Sequence, residues 1–226
     1  MYTLAIFNQQ RAALSFAMAI RFACFSPHPP LLLPHVGTPK DREKVKKTTA
    51  ALNALAERFK KAKVDILFIA SPHPDWGFNV PLYFLAPCYS NGNTCPFQIK
   101  EKLIGQEPPS FYFKKGQQFF SETDKNRSYG LIGSGDLSHY LKEDGPYGFH
   151  PHGPKFDQAL IECLKNKEID RFLNLDKEFP GAGECGLRSF SFILGILEGA
   201  GVDWQAEALS YEAPFGVGYL VVNFKL

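Results

Sequence analysis

A chain of 226 residues with 45% hydrophobic side chains is long enough to bury one sizeable core and short for two. Its formal charge of +2 comes from acids and bases that are interspersed, which points away from nucleic acid and toward a small-molecule partner; homo-oligomerisation stays open. Five cysteines (Cys24, Cys88, Cys95, Cys163 and Cys185), odd in number and without a C-x-x-C pair, read as free thiols of a reducing, cytoplasmic compartment.

Residues 1–17 read as an N-terminal extension outside the core, with Met18 standing directly before the first strand-like run. Their apolar patch is too short and interrupted to span a bilayer, so no membrane is expected. From residue 18 the pattern is that of one α/β domain, 18–226, with a central, mostly parallel or mixed sheet and helices on both faces. "AIRFACF" is a buried strand that stops at Ser26-Pro27-His28-Pro29. Residues 38–63 follow as a helix, with Thr38 placed to cap and Pro39 in the first turn. "VDILFIA" is a second buried strand, stopped by the same four residues, Ser71-Pro72-His73-Pro74. Two strands joined through a helix are most simply parallel neighbours, which puts both histidines at strand carboxyl ends, where open α/β sheets hold their ligands.

Farther on, "NVPLYFLAP" reads as a strand, although the stretch separating it from the second strand is too short for a parallel crossover. "CPFQIKEKL" is another strand and residues 108–125 a helix opened by proline. "SYGLIGSGDLSHYL" is a buried strand running into a glycine turn that delivers His139. Helices follow over 153–166 and 168–175, an apolar helix begins near Glu184, and one or two strands close the chain.

Two imidazoles and one carboxylate on one face of a metal, with the remaining positions open, suit non-haem Fe(II) that handles O₂. His28, His73 and Glu184 are the candidates for those positions, and His139 is free to move protons. The same donors with a water also describe catalytic zinc. Glu184 has a second use as an acid at a helix N-terminus. Asp136 suits the glycine turn or the support of a ligand, and His152 the substrate mouth. Arg188, one turn after Glu184, can meet an acidic substrate or pair with a carboxylate.

"FACFSPHPPLLLPHVG", "ILFIASPHPD", "VPLYFLAP", "LIGSGDLSHYL", "GFHPHGPKFD" and "GAGECGLRSF" occur in the order of the landmarks of a known family. Together they resemble the class III extradiol ring-cleavage dioxygenase B subunits, and more closely the branch related to the Memo protein. The resemblance implies a mononuclear Fe(II) site that opens a catechol-type aromatic with O₂, His28, His73 and Glu184 matching the ligands and His139 the catalytic histidine. It also implies an alternative, a Memo-like protein that binds a metal or a partner without dioxygenase activity. Two departures stand out. The family's longer segment after the second histidine motif is missing, so the chain is shortened after residue 75. The Memo branch has a cysteine at the carboxylate position, where Glu184 and Cys185 stand side by side. A one-residue shift at a helix start turns a side chain by roughly 100°, so one of the pair faces the metal; a hard carboxylate suits Fe(II), which favours Glu184, with Cys185 as the alternative ligand for softer metals such as zinc.

Overall fold

The computed structural model describes residues 20–124 and 126–226. The reading of residues 1–17 therefore lies outside the described residues. Among the described residues six strands form one mixed, mostly parallel sheet: β1 (Ile20–Ser26), β2 (Ile66–Ser71), β3 (Gln98–Leu103), β4 (Tyr129–Ser134), β5 (Gln205–Glu212) and β6 (Tyr219–Lys225). Their spatial order is β3-β2-β4-β1-β6-β5. The first four in that order run parallel, and β6 and β5 complete the sheet as antiparallel neighbours.

The continuous apolar runs of the inner strands reflect burial on both faces. In β2, Ile66, Phe68 and Ala70 join one core, while Leu67 and Ile69 point into the other. The first core is closed by α5 (Pro109–Ser121), α6 (His152–Asn166) and α9 (Leu187–Gly199), with the short turns α7 (Ile169–Phe172) and α8 (Leu175–Glu178) at its side. The second is closed by α2 (Lys46–Ala62) and α3 (Trp76–Leu85), which α4 (Pro87–Ser90) extends. Among the described residues no helix is long and apolar enough to cross a membrane.

The helix expected over 38–63 is present in two pieces. Thr38 and Asp41 form a reciprocal capping box that opens α1 (Pro39–Glu43), and α2 starts after a break at Lys44 and Val45. The stretch "NVPLYFLAP" is a helix and not a strand. It belongs to α3, whose apolar residues Phe78, Val80, Leu82 and Leu85 pack on the sheet, and it is itself the crossover that carries β2 into the parallel strand β3. Its β-rich composition misleads because tertiary packing outweighs propensity in a buried segment.

Two further expectations are corrected. β1 and β2 are not neighbours: β4 lies between them, pairing with both. And the free-thiol reading holds for Cys24, Cys163 and Cys185 but fails for Cys88 and Cys95, which form a disulfide across seven residues of chain. That bridge ties α4 to the residues that lead into the edge strand β3, and it removes the cysteine-based argument for a reducing compartment.

Candidate metal centre

Three parallel strands stop on one edge with the same residue type: Ser26 ends β1, Ser71 ends β2 and Ser134 ends β4. Because β4 is central, its Ser134-Gly135-Asp136 turn enters between the two histidine loops. The His28 and His73 rings face one another with centroids 5.3 Å apart. His28 is buried and His73 is exposed, so one forms the floor of the site and the other its rim.

The protonation of His28 follows from its neighbours. The Ser134 hydroxyl has one proton, and it donates to the Gly77 carbonyl. Ser134 Oγ must then accept from His28 Nδ1–H, 2.9 Å away, which leaves the Nε2 lone pair bare and pointing into the site. The Gly77 carbonyl is available because of Pro81: four residues on in α3, proline has no N–H to return the helical hydrogen bond. A helix-interior proline thus fixes the tautomer of a histidine on a neighbouring loop. Burial, with a smaller contribution from His73, lowers the His28 pKa to about 3, so the ring stays neutral.

Cys185 supplies the third atom. Its Sγ lies 3.6 Å from His28 Nε2, and Sγ with one ring nitrogen from each of His28 and His73 forms a group within 4.8 Å. The Asp136 peptide clasps this cysteine: its N–H donates to Sγ at 3.2 Å, and its carbonyl accepts from the Cys185 and Gly186 amides. The clasp needs bare backbone on both sides, since a Cβ at Gly135 would stand 2.2 Å from Gly186 Cα.

Glu184, the carboxylate expected as third ligand, belongs to neither group of converging donors among the described residues. Its Oε2 accepts from the Leu187 N–H at the start of α9 and its Oε1 from Arg188 at 3.2 Å. Burial raises its pKa, the Leu187 and Arg188 contacts opposing the rise. The helix-start turn directs the neighbouring residues to different sides, as expected, but it is Cys185 that faces the histidines. Arg188 also reaches the Glu107 carbonyl and Asp176, and so braces the α9 end and does not enter the pocket.

Asp136, His139 and the same Cys185 make a second converging group. Asp136 Oδ1 accepts from the His28 amide at 3.0 Å and Oδ2 lies 3.9 Å from His28 Nε2. Burial raises its carboxyl pKa to about 6, the His28 amide opposing the rise. His139 is held neutral by burial, partly offset by Asp136, and its buried Nε2 has no hydrogen-bond partner among the described residues. The loop that carries it is fixed from below by Asp157 of α6, whose Oδ1 accepts from the Ser138 amide at 2.8 Å and whose Oδ2 accepts from the Tyr211 hydroxyl. Sequence reading missed Asp157, an acid in a helix pattern whose only signal is its place on the buried face.

His152 does not reach the mouth. Its Nδ1 accepts from the Gly181 amide, and with His150 it anchors the loop that precedes Cys185. Above the converging donors opens a cavity of about 370 Å³, walled by Trp76, Tyr147, Phe215 and Tyr219, floored by His28, Asp136 and His139 and rimmed by His73. The donor set fits a divalent transition metal: two imidazoles, one of them with its lone pair fixed, a sulfur able to bind as thiolate, and an unpartnered nitrogen nearby.

Residues 54–222 match the family described as the catalytic LigB subunit of aromatic ring-opening dioxygenase. The chain belongs to that family. The match to the LigB family includes His73, Asp136, His139, Glu184 and Cys185 and leaves out His28, whose place rests on the geometry above. The chain is 38% identical over 153 residues to a Clostridium acetobutylicum protein named Protein CA_C1420. That stretch is 67% of this chain and 31% of the relative, so the chain spans about a third of the relative's length. An uncharacterized Escherichia coli K12 protein, JW3007, shares the fold of this LigB-family chain with a TM-score of 0.61, at 14% identity over 90% of this chain and 99% of that one.

Proposed function

We propose that the chain holds one divalent transition metal between His28, His73 and Cys185, and that with O₂ it opens the ring of a small aromatic diol. The observation that carries this reading is the convergence of those three donors beneath an aromatic-walled cavity at the carboxyl edge of the sheet, in a chain of the LigB family. Iron bound there supplies a Lewis acid and the one-electron chemistry that lets O₂ react with an aromatic ring.

The protein's own part is positioning and proton handling. Ser134 keeps His28 Nε2 unprotonated. The Asp136 peptide fixes the sulfur. His139, neutral and unpartnered at Nε2, takes a proton from a diol hydroxyl and returns it later in the reaction. Trp76 and Tyr147, at the exposed rim of the cavity, flank the ring. The test is anaerobic reconstitution with Fe(II), then a panel of catechols with O₂ while following oxygen uptake and the yellow ring-opened product. Iron-loaded protein that consumes no O₂ with any catechol defeats the enzymatic reading.

One observation favours a second reading. Cys185, and not Glu184, faces the histidines, and a thiolate suits softer ions such as Zn(II) or Cu(I) better than a carboxylate does. In that reading the chain is a Memo-like metal-binding protein without ring-opening turnover. Stable metal binding in the absence of O₂ uptake is its signature.

A further inference from the structure

The cavity over the metal-binding donors also carries information about charge. Its upper walls are Pro29, Leu31, Trp76, Tyr147, Phe215 and Val217. Among the described residues no lysine or arginine lines it, and its one carboxylate is Asp136. Two cations stand beside the lining and are engaged outside it: Lys44 Nζ lies over the Phe215 ring at 5.1 Å from the centroid, and Lys142 Nζ donates to the Pro214 carbonyl. Arg188, the residue whose spacing suited an acidic substrate, is turned to Glu184, Asp176 and Glu107.

A carboxylate on the substrate ring would meet no cationic side chain in this lining, and a charged group that gives up part of its hydration without a partner is disfavoured. It would also sit near the Asp136 carboxyl. An uncharged ring meets none of these penalties and gains apolar contact with Trp76, Tyr147 and Phe215. The cavity, about 370 Å³, lies at the small end of the range of ligand sites. We infer that the site takes an uncharged, single-ring aromatic diol and discriminates against ring-carboxylated diols, an inference that rests on the metal-dependent reading above.

The probes are catechol and 3,4-dihydroxybenzoate, titrated without O₂ into protein carrying Zn(II) in place of iron. Binding is read from quenching of Trp76 fluorescence, with Trp76→Phe as the control for buried Trp204. Catechol is expected to bind at least about tenfold more tightly than the acid. Tyr147→Lys, at an exposed position on the rim, should narrow or reverse that ratio by supplying a cation. Equal or tighter binding of 3,4-dihydroxybenzoate by the parent overturns the inference and leaves the metal-dependent aromatic reading intact. Failure of both diols to bind overturns that reading and this inference with it.

Discussion

Cys185 Sγ lies 3.6 Å from His28 Nε2, although 157 residues separate the two in the chain. The contact exists because β1 and β4 are hydrogen-bonded neighbours and the Asp136 peptide grips the Cys185-Gly186 turn. Glu184, one residue earlier, is spent on the α9 N-terminus.

Opposite outcomes are therefore expected for adjacent substitutions. Cys185→Ser lowers metal affinity by at least about 100-fold while the fold is kept. Glu184→Gln retains the metal and costs about 1–2 kcal/mol of stability, since it weakens the helix-start contacts to Leu187 and Arg188. Elemental analysis of dialysed protein and thermal denaturation read the two effects separately.

Ser134 acts on the proposed metal centre only through His28. Ser134→Ala removes the acceptor that holds Nδ1–H and frees the ring to adopt the other tautomer. Metal affinity should fall about 10–100-fold with little change in the far-UV circular dichroism. Pro81→Ala acts on the same chain of contacts from farther away, because the new amide competes with Ser134 for the Gly77 carbonyl. Its affinity loss should be smaller and in the same direction.

The sequence made the edge of the sheet legible, and for a physical reason: proline locks the chain where a strand must end, so each "SPHP" marks both the stop and the histidine. The α/β class and the GDLSH turn were readable on the same grounds of buried runs and glycine. The choice between Glu184 and Cys185 was not. It depends on a peptide clasp between Asp136 and Cys185 across 49 residues, which no local pattern encodes. The insertion of β4 between β1 and β2 was hidden likewise, because strand order is settled by packing between distant segments. The Cys88–Cys95 bridge escaped because a pair at this spacing matches neither a zinc pattern nor a C-x-x-C motif.

Asp157 gives a pH dependence with a defined sign. Burial raises its carboxyl from 3.8 to about 7, against the opposing Tyr211 and Ser138 hydrogen bonds. A group whose folded pKa is raised stabilises the fold fully below its unfolded pKa, and that contribution is lost as pH rises through the folded pKa. The parent should accordingly lose stability between about pH 4 and 7 from this group. Asp157→Asn, which mimics the protonated acid, should gain on the parent over that interval. Thermal midpoints of both proteins at pH 5 and pH 8 check it, and a difference that stays constant contradicts it.

The disulfide closes a short loop and limits the unfolded chain. By the chain-entropy relation, reduction or Cys88→Ser with Cys95→Ser should cost about 2–3 kcal/mol. The candidate metal donors lie at the opposite, carboxyl edge of the sheet, so metal content should be unchanged in the reduced protein. Denaturant titration with and without reductant, followed by metal analysis, separates the two.

The most direct measurement is the absorption spectrum of the protein reconstituted with Co(II). Coordination by Cys185 predicts a near-ultraviolet sulfur-to-cobalt charge-transfer band in the parent that persists in Glu184→Gln and disappears in Cys185→Ser. A Co(II) spectrum without that band, lost on Glu184→Gln and unaltered by Cys185→Ser, would contradict the centre described by His28, His73 and Cys185.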